Sequence, residues 1–251
     1  MDMALVSATL GMTLIVALRY ALTSGGFAWL TRATGRARAV PAGQVRAEIG
    51  WSLLSAIIYG VPAGLVWWAF EQHGLTRLYT DPGAHGWAWL LAAPLLYLLL
   101  HDTWFYWTHR LMHRPWWFRR MHAVHHASRP PTAWAAMSFH PWEALSGAVL
   151  FPALAFLVPI HVGALLLVLL VASMLGTTNH MGWEILPAPL VRGPVGAAVI
   201  SAAHHELHHR HYRCNYGLYF RFWDRLMGTD RGVAEDLLEP TQPVAGTMAR
   251  R

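Results

Sequence analysis

The sequence predicts an all-α membrane protein: about four apolar helical segments, the last folded as a hairpin, under a cytoplasmic helical cap. Three observations predict it. Hydrophobic residues fill 55% of the 251 positions and charged residues only 13%, whereas about a quarter of an ordinary soluble domain is charged. The apolar residues fall into long runs. The chain has no lysine, and its 19 basic residues, all arginine, lie between those runs rather than in one tract. That placement suits membrane-surface anchoring and argues against nucleic-acid binding.

The first run, Met3 to Leu22, follows Met1-Asp2 with no positive residue ahead of it, unlike the start of a cleaved signal peptide. It reads as a retained membrane helix with Arg19 snorkelling at its end. Thr31 to Glu48 carries Arg32, Arg36, Arg38 and Arg46 against one glutamate and is expected on the cytoplasmic side. Ile49 to Phe70 is long enough to cross a hydrocarbon core of about 30 Å, with Trp67 and Trp68 at its interfacial end. The nearly neutral loop Glu71 to Gly86, with the turn signal Asp81-Pro82-Gly83, belongs on the opposite side. Trp87 to Leu100 continues past Pro94 through Trp107 and returns the chain to the side of Arg110, Arg114, Arg119 and Arg120.

The block Ala144 to Leu175 decides the topology. A single crossing would leave the histidines before and after it on opposite faces. A break near Pro159-Ile160-His161 instead gives two legs, each roughly 22 Å long at 1.5 Å per residue, a re-entrant or tilted hairpin that keeps those histidines together. From Gly176 the chain is polar, aromatic and arginine-bearing, which is the expected cap. Residues 1–240 then form one membrane-embedded domain, and 241–251 a disordered tail.

The 16 histidines exceed by about threefold what an average composition supplies, and they cluster. His109 and His113 stand four apart on one helix face. His122, His125 and His126 follow at spacings of three and four, and His205, His208 and His209 repeat the same pattern. Neutral imidazole is a common ligand of zinc, iron, copper and nickel, and eight such rings are more than one tetrahedral zinc can use. Two metal ions are therefore implied. One cysteine, Cys214, excludes an intramolecular disulfide and a cysteine-rich site. The nearby acids Asp102, Glu143, Glu184, Glu206 and Asp224 read as acceptors that fix ring tautomers, with Asp102, seven residues before His109, the best placed. His140 reads equally as such a supporting group or as a ligand. His101 reads as a hydrogen-bonding residue at the membrane edge.

The order HRLMH at 109–113, HAVHH at 122–126, Asn179-His180, HELHH at 205–209, Asn215-Tyr216-Gly217, Trp223-Asp224 and Gly228-Thr229 resembles the fatty acid hydroxylase and sterol desaturase superfamily of membrane di-iron oxidases. The resemblance covers about residues 95–230. It implies a di-iron site with His109, His113, His122, His125, His126, His205, His208 and His209 as ligands and His180 as a ninth; His140 and His204 match less closely. It also implies O2-dependent hydroxylation or desaturation of a C–H bond in a sterol, fatty acyl or carotenoid lipid drawn from the bilayer. Electrons would come from a separate protein, a b-type cytochrome or a ferredoxin with its NAD(P)H reductase. The expected location is a bacterial inner membrane with the histidines on the cytoplasmic side.

Two rivals come from other classes. His205-Glu206-Leu207-His208-His209 is a literal HExxH, the signature in which two histidines hold zinc and the glutamate activates water, and it suggests an intramembrane zinc protease. Against it, the segment is too polar for a membrane helix, and the histidines at 109–126 stay unexplained. A non-catalytic metal transporter would want ionisable residues inside the spans, and here they lie mostly at the ends.

Overall fold

The computed structural model describes residues 2–238. Asp2 opens helix α1, its carboxylate accepting the N–H groups of Ala4 at 2.8 Å and Leu5 at 3.4 Å. The helix then runs unbroken from Met3 to Ala33, well past the expected end at Leu22. Hydroxyls carry it through the polar stretch: Thr23 Oγ1 donates to the Arg19 carbonyl at 2.9 Å, and Thr31 Oγ1 to that of Phe27 at 2.7 Å. Arg19 consequently lies in mid-helix and lines an internal cavity, so the reading of it as a snorkelling end residue is corrected.

Helix α2, Gln44–His73, packs along α1. Gly60 and Gly64, one turn apart, lie directly against Thr13 and Thr9 of α1, where an added Cβ would overlap the threonine backbone. Gly64→Ile is expected to force the two helices apart and to destabilise the fold by about 1–3 kcal/mol. Thermal melting of the solubilised protein checks this, and an unchanged midpoint would contradict the close packing.

Helix α3, Trp87–Met112, is followed by the hairpin: α4, Pro141–Ala148; α5, Leu150–Leu157; and α6, Val162–His180. Its tip is pinned to the loop between α2 and α3 by a two-residue parallel pairing of β1, Leu78–Tyr79, with β2, Ile160–His161. Trp89 Nε1 donates to the Pro159 carbonyl at 3.0 Å, and the Tyr97 hydroxyl to that of Val158 at 2.8 Å. Trp89 and His109 are about 30 Å apart along α3 at 1.5 Å per residue. Both legs therefore run from the histidine end of the bundle to its far end, the tilted rather than the partly inserted form of the expected hairpin.

Among the described residues, α1, α2, α3 and α6 are long and apolar enough to cross a membrane. Their outer faces expose large side chains, including Leu22 at 75% and Leu91 at 73%, as expected for an integral membrane protein whose surroundings are lipid. Short helices at Ala188–Arg192 and Pro194–Ala198, then α7, Ala202–His211, and α8, Phe222–Leu226, form the cap. Val191, Ala203 and Leu238 make its small core. The tail expected at 241–251 lies outside the described residues.

Candidate metal centre

Four separate pieces of backbone deliver the histidines. His109 occupies the last turn of α3 and His113 caps its C-terminus. One turn of π-helix, Phe118–His122, and a 3-10 turn, His125–Ala127, carry the middle box; such widened turns recur at functional sites. Pro130 and Thr132, just beyond, are tied down by α2: Gln44 donates to the Pro130 carbonyl at 2.8 Å, and the Thr132 hydroxyl donates to Glu48, which is 1% exposed. The last box lies on α7, with His180 facing it from the end of α6.

The rings divide into two groups. His109, His113, His122, His126 and His208 form one; His125, His180, His205 and His209 form the other; within each group the potential ligand atoms all lie within 4.8 Å of one another. The division cuts across the boxes, since the middle and last boxes each contribute to both groups. Tautomers follow from the outer contacts. His109 Nδ1 donates to the Tyr216 carbonyl at 2.8 Å, His208 Nδ1 to that of Cys214 at 2.7 Å, His180 Nδ1 to that of Gly176 at 2.6 Å, and His122 Nδ1 to Glu143 Oε1 at 2.8 Å. A neutral imidazole has a single N–H, so the Nε2 of each of these rings carries a lone pair.

Those lone pairs converge. His109 Nε2 is 3.0 Å from His122 Nε2, His126 Nε2 is 3.2 Å from His208 Nε2, and His205 Nε2 is 3.0 Å from His180 Nε2. With Glu143 ionised, the first of these pairs has no hydrogen to share and is repulsive until a cation enters. Adjacent nitrogens on one ion, each at about 2.0–2.1 Å, would be separated by roughly 3 Å, the spacing seen here. Burial, first, and then repulsion between neighbouring rings push the imidazolium forms of His113, His122, His125, His126, His205 and His209 far down; for His208 burial again leads. The rings are neutral and able to ligate. Nine imidazoles in sets of five and four fit a pair of first-row transition-metal ions.

The acids behave differently from expectation, with one exception. Glu143 accepts a ring N–H, from His122. Asp102 reaches no ring: its Oδ1 accepts the backbone N–H groups of Leu218, Tyr219 and Phe220 at 3.1, 2.7 and 3.3 Å, so it holds a loop rather than a tautomer. Glu206 pairs with Arg38 at 3.1 Å and Arg210 at 3.0 Å. His140 caps α4, its Nδ1 accepting the Trp142 N–H at 3.4 Å, and stands outside both groups. His101 bonds the Tyr219 hydroxyl at 2.7 Å. His204 faces Asp230 at 3.8 Å, and neither joins a group. Sequence reasoning missed the carbonyls of Tyr216, Cys214 and Gly176. It also gave Asp224 the wrong partner: that carboxylate accepts from Tyr216 N, Gly217 N and Thr229 Oγ1 at 2.8, 2.8 and 2.7 Å.

An apolar cavity of about 140 Å³ adjoins the centre. Phe105 and Phe139 line it and pack on His109 and His125, with ring centroids 4.9 and 5.3 Å apart; Glu143 and Gly176 line it as well. Arg19, Tyr59, Gly147, Phe151 and Leu169 also line a second cavity of about the same size, which reaches Ile15 and Leu166 on the outer face of the bundle.

Comparison with known proteins gives one consistent result. The family profile described as fatty acid hydroxylase matches residues 94–229. Delta(7)-sterol 5(6)-desaturase ERG3B of Gibberella zeae is 33% identical over 167 residues, 66% of this chain and 50% of the relative. Delta(7)-sterol 5(6)-desaturase erg3C of Aspergillus fumigatus is 33% identical over 227 residues, 82% of this chain and 68% of the relative. Lathosterol oxidase of Mus musculus is 29% identical over 191 residues, 74% and 61%. The chain thus spans between half and about two thirds of the length of these relatives. No solved structure matches it.

Proposed function

The chain belongs to the fatty acid hydroxylase and sterol desaturase superfamily, and from that premise we propose that it is a membrane oxidoreductase that uses two iron ions and O2 to hydroxylate or desaturate a lipid. One observation carries the reading: nine imidazoles converge in sets of five and four, with no carboxylate or thiolate in either set, beside an apolar cavity among membrane helices. His109, His113, His122, His126 and His208 would hold one ion, and His125, His180, His205 and His209 the other. Iron bound there would supply O2 activation and the oxidising power to attack an unactivated C–H bond.

The protein's own part is positional. Glu143 and the carbonyls of Tyr216, Cys214 and Gly176 orient rings. The cavity takes a hydrocarbon from the bilayer and keeps water from the reacting carbon. The relatives' names include sterol desaturases, which puts sterols among the candidate substrates beside fatty acyl and carotenoid lipids. Electrons would arrive from a separate b-type cytochrome or ferredoxin. The arginines of the histidine face favour the cytoplasmic side, in a bacterial inner membrane. Residues 1–240 would act as one unit.

The zinc-protease reading is set aside on one contact. Glu206, which would have to activate water, is held by the guanidiniums of Arg38 and Arg210. Metal analysis of the purified protein is expected to find about two irons per chain, and a host fed candidate lipids should yield a product with one oxygen gained or two hydrogens lost. One zinc per chain, or no modified lipid from any class, would overturn the reading.

A further inference from the structure

One cation stands inside the membrane bundle without a counterion. Arg19 lines both the inner cavity, against the histidines, and the outer one. Its Nε is buried with no hydrogen-bond partner, and among the described residues it forms no ion pair. The groups nearest its charge in the cavity, Tyr59 and Tyr219, are neutral hydroxyls. Glu143 lines the same space, with Oε1 on His122 and Oε2 unpartnered, but it forms no ion pair with Arg19. Arginine keeps its proton in proteins, and an unpaired charge in an apolar interior is costly until an anion meets it. A planar guanidinium matches a carboxylate through two parallel hydrogen bonds.

We propose that Arg19 is the carboxylate-binding residue of the substrate cavity, so that the lipid taken is an ionised acid rather than a neutral alcohol or ester. The acid enters through the outer cavity, seats its carboxylate on Arg19 and extends its hydrocarbon through the inner cavity towards Phe105, Phe139 and the histidines. Arg19 then fixes which carbon is presented, counted from the carboxylate. Gly147 lines both cavities as well, and a Cβ there would collide with the Tyr59 hydroxyl. The inference rests on the reading of the centre as a lipid oxidase.

The test is a binding titration of the full chain in nanodiscs with radiolabelled palmitate, methyl palmitate and, as a ring-fused acid, lithocholate. The wild-type protein is expected to bind an acid about tenfold or more tightly than the ester, Arg19→Gln to abolish that preference and Arg19→Lys to keep most of it. Stronger binding of lithocholate than of palmitate would support the site and assign it to ring-fused acids. Equal binding of acid and ester by the wild type, or an unchanged preference in Arg19→Gln, would overturn the proposal; the wild-type comparison stands even if a variant fails to fold. Arg19-dependent acid binding in a protein that never takes up iron would keep this inference and sink the oxidase reading. Iron loading with oxidation of neutral lipids and no acid preference would do the reverse.

Discussion

His125→Ala and His208→Ala, one from each group, are expected to reduce product formation to background and iron content from about two ions per chain to about one or fewer, with membrane insertion unchanged. Each ring is buried within the histidine clusters at the end of the bundle rather than between the spans, so its loss removes a lone pair while the spans stay assembled. His208 sits among four partners and is fixed by the Cys214 carbonyl, whereas His125 is fixed by no outer acceptor. His208→Ala should therefore also free the loop that follows α7. The control is His204→Ala, on the same helix and equally buried but directed at Asp230 rather than at either group; it should retain both irons. Iron analysis of the three variants, with carbonate extraction to confirm insertion, decides the matter. Full loading in His125→Ala or His208→Ala would refute the assignment, and loss of iron in His204→Ala would show that any buried histidine on α7 is needed merely to fold it.

Much of the fold is legible in the sequence because a membrane removes alternatives. A run of apolar residues about twenty long has one stable form, and the requirement that two histidine clusters share a face turns the block at 144–175 into a hairpin. What misled was polarity inside a helix. Thr23-Ser24-Gly25-Gly26 looks like the start of a loop, yet hydroxyls that bond back to helix carbonyls keep α1 going, and Arg19 is thereby placed among the helices instead of at a membrane surface. The nine histidines announce themselves by number and spacing, but their partition into five and four does not. It depends on the π-turn at Phe118–His122 and on how α7 crosses the middle box, so His122 and His126 part from His125 although all three are near neighbours in the chain. The carbonyl acceptors were illegible for a simpler reason: every residue has one, and only the fold chooses which will face a ring.

Asp224 shows how far this outer layer reaches. It is 0% exposed, and its two oxygens accept the N–H groups of Tyr216 and Gly217 and the Thr229 hydroxyl. Asn215, at φ 56°, braces the same loop from the other side through the carbonyls of His204 and Gly232. The loop so held offers two acceptors, either side of Asn215, to the centre: the carbonyl of Cys214 to His208 and that of Tyr216 to His109. Asp224→Asn keeps the size but puts an amide N–H against a backbone N–H, leaving a buried donor unsatisfied at a cost of about 1–3 kcal/mol. Because both affected rings belong to the five-histidine group, that ion should bind about 10–100-fold more weakly while the other is held as before. Asp102→Asn is the discriminating partner: it loosens Leu218, Tyr219 and Phe220, which carry no ring acceptor, and should leave metal affinity nearly unchanged. Iron competition with a chelator reads both variants. A biphasic release in Asp224→Asn, absent from Asp102→Asn, is the expected pattern, and equal weakening of both ions would mean that Asp224 supports the fold at large rather than one half of the centre.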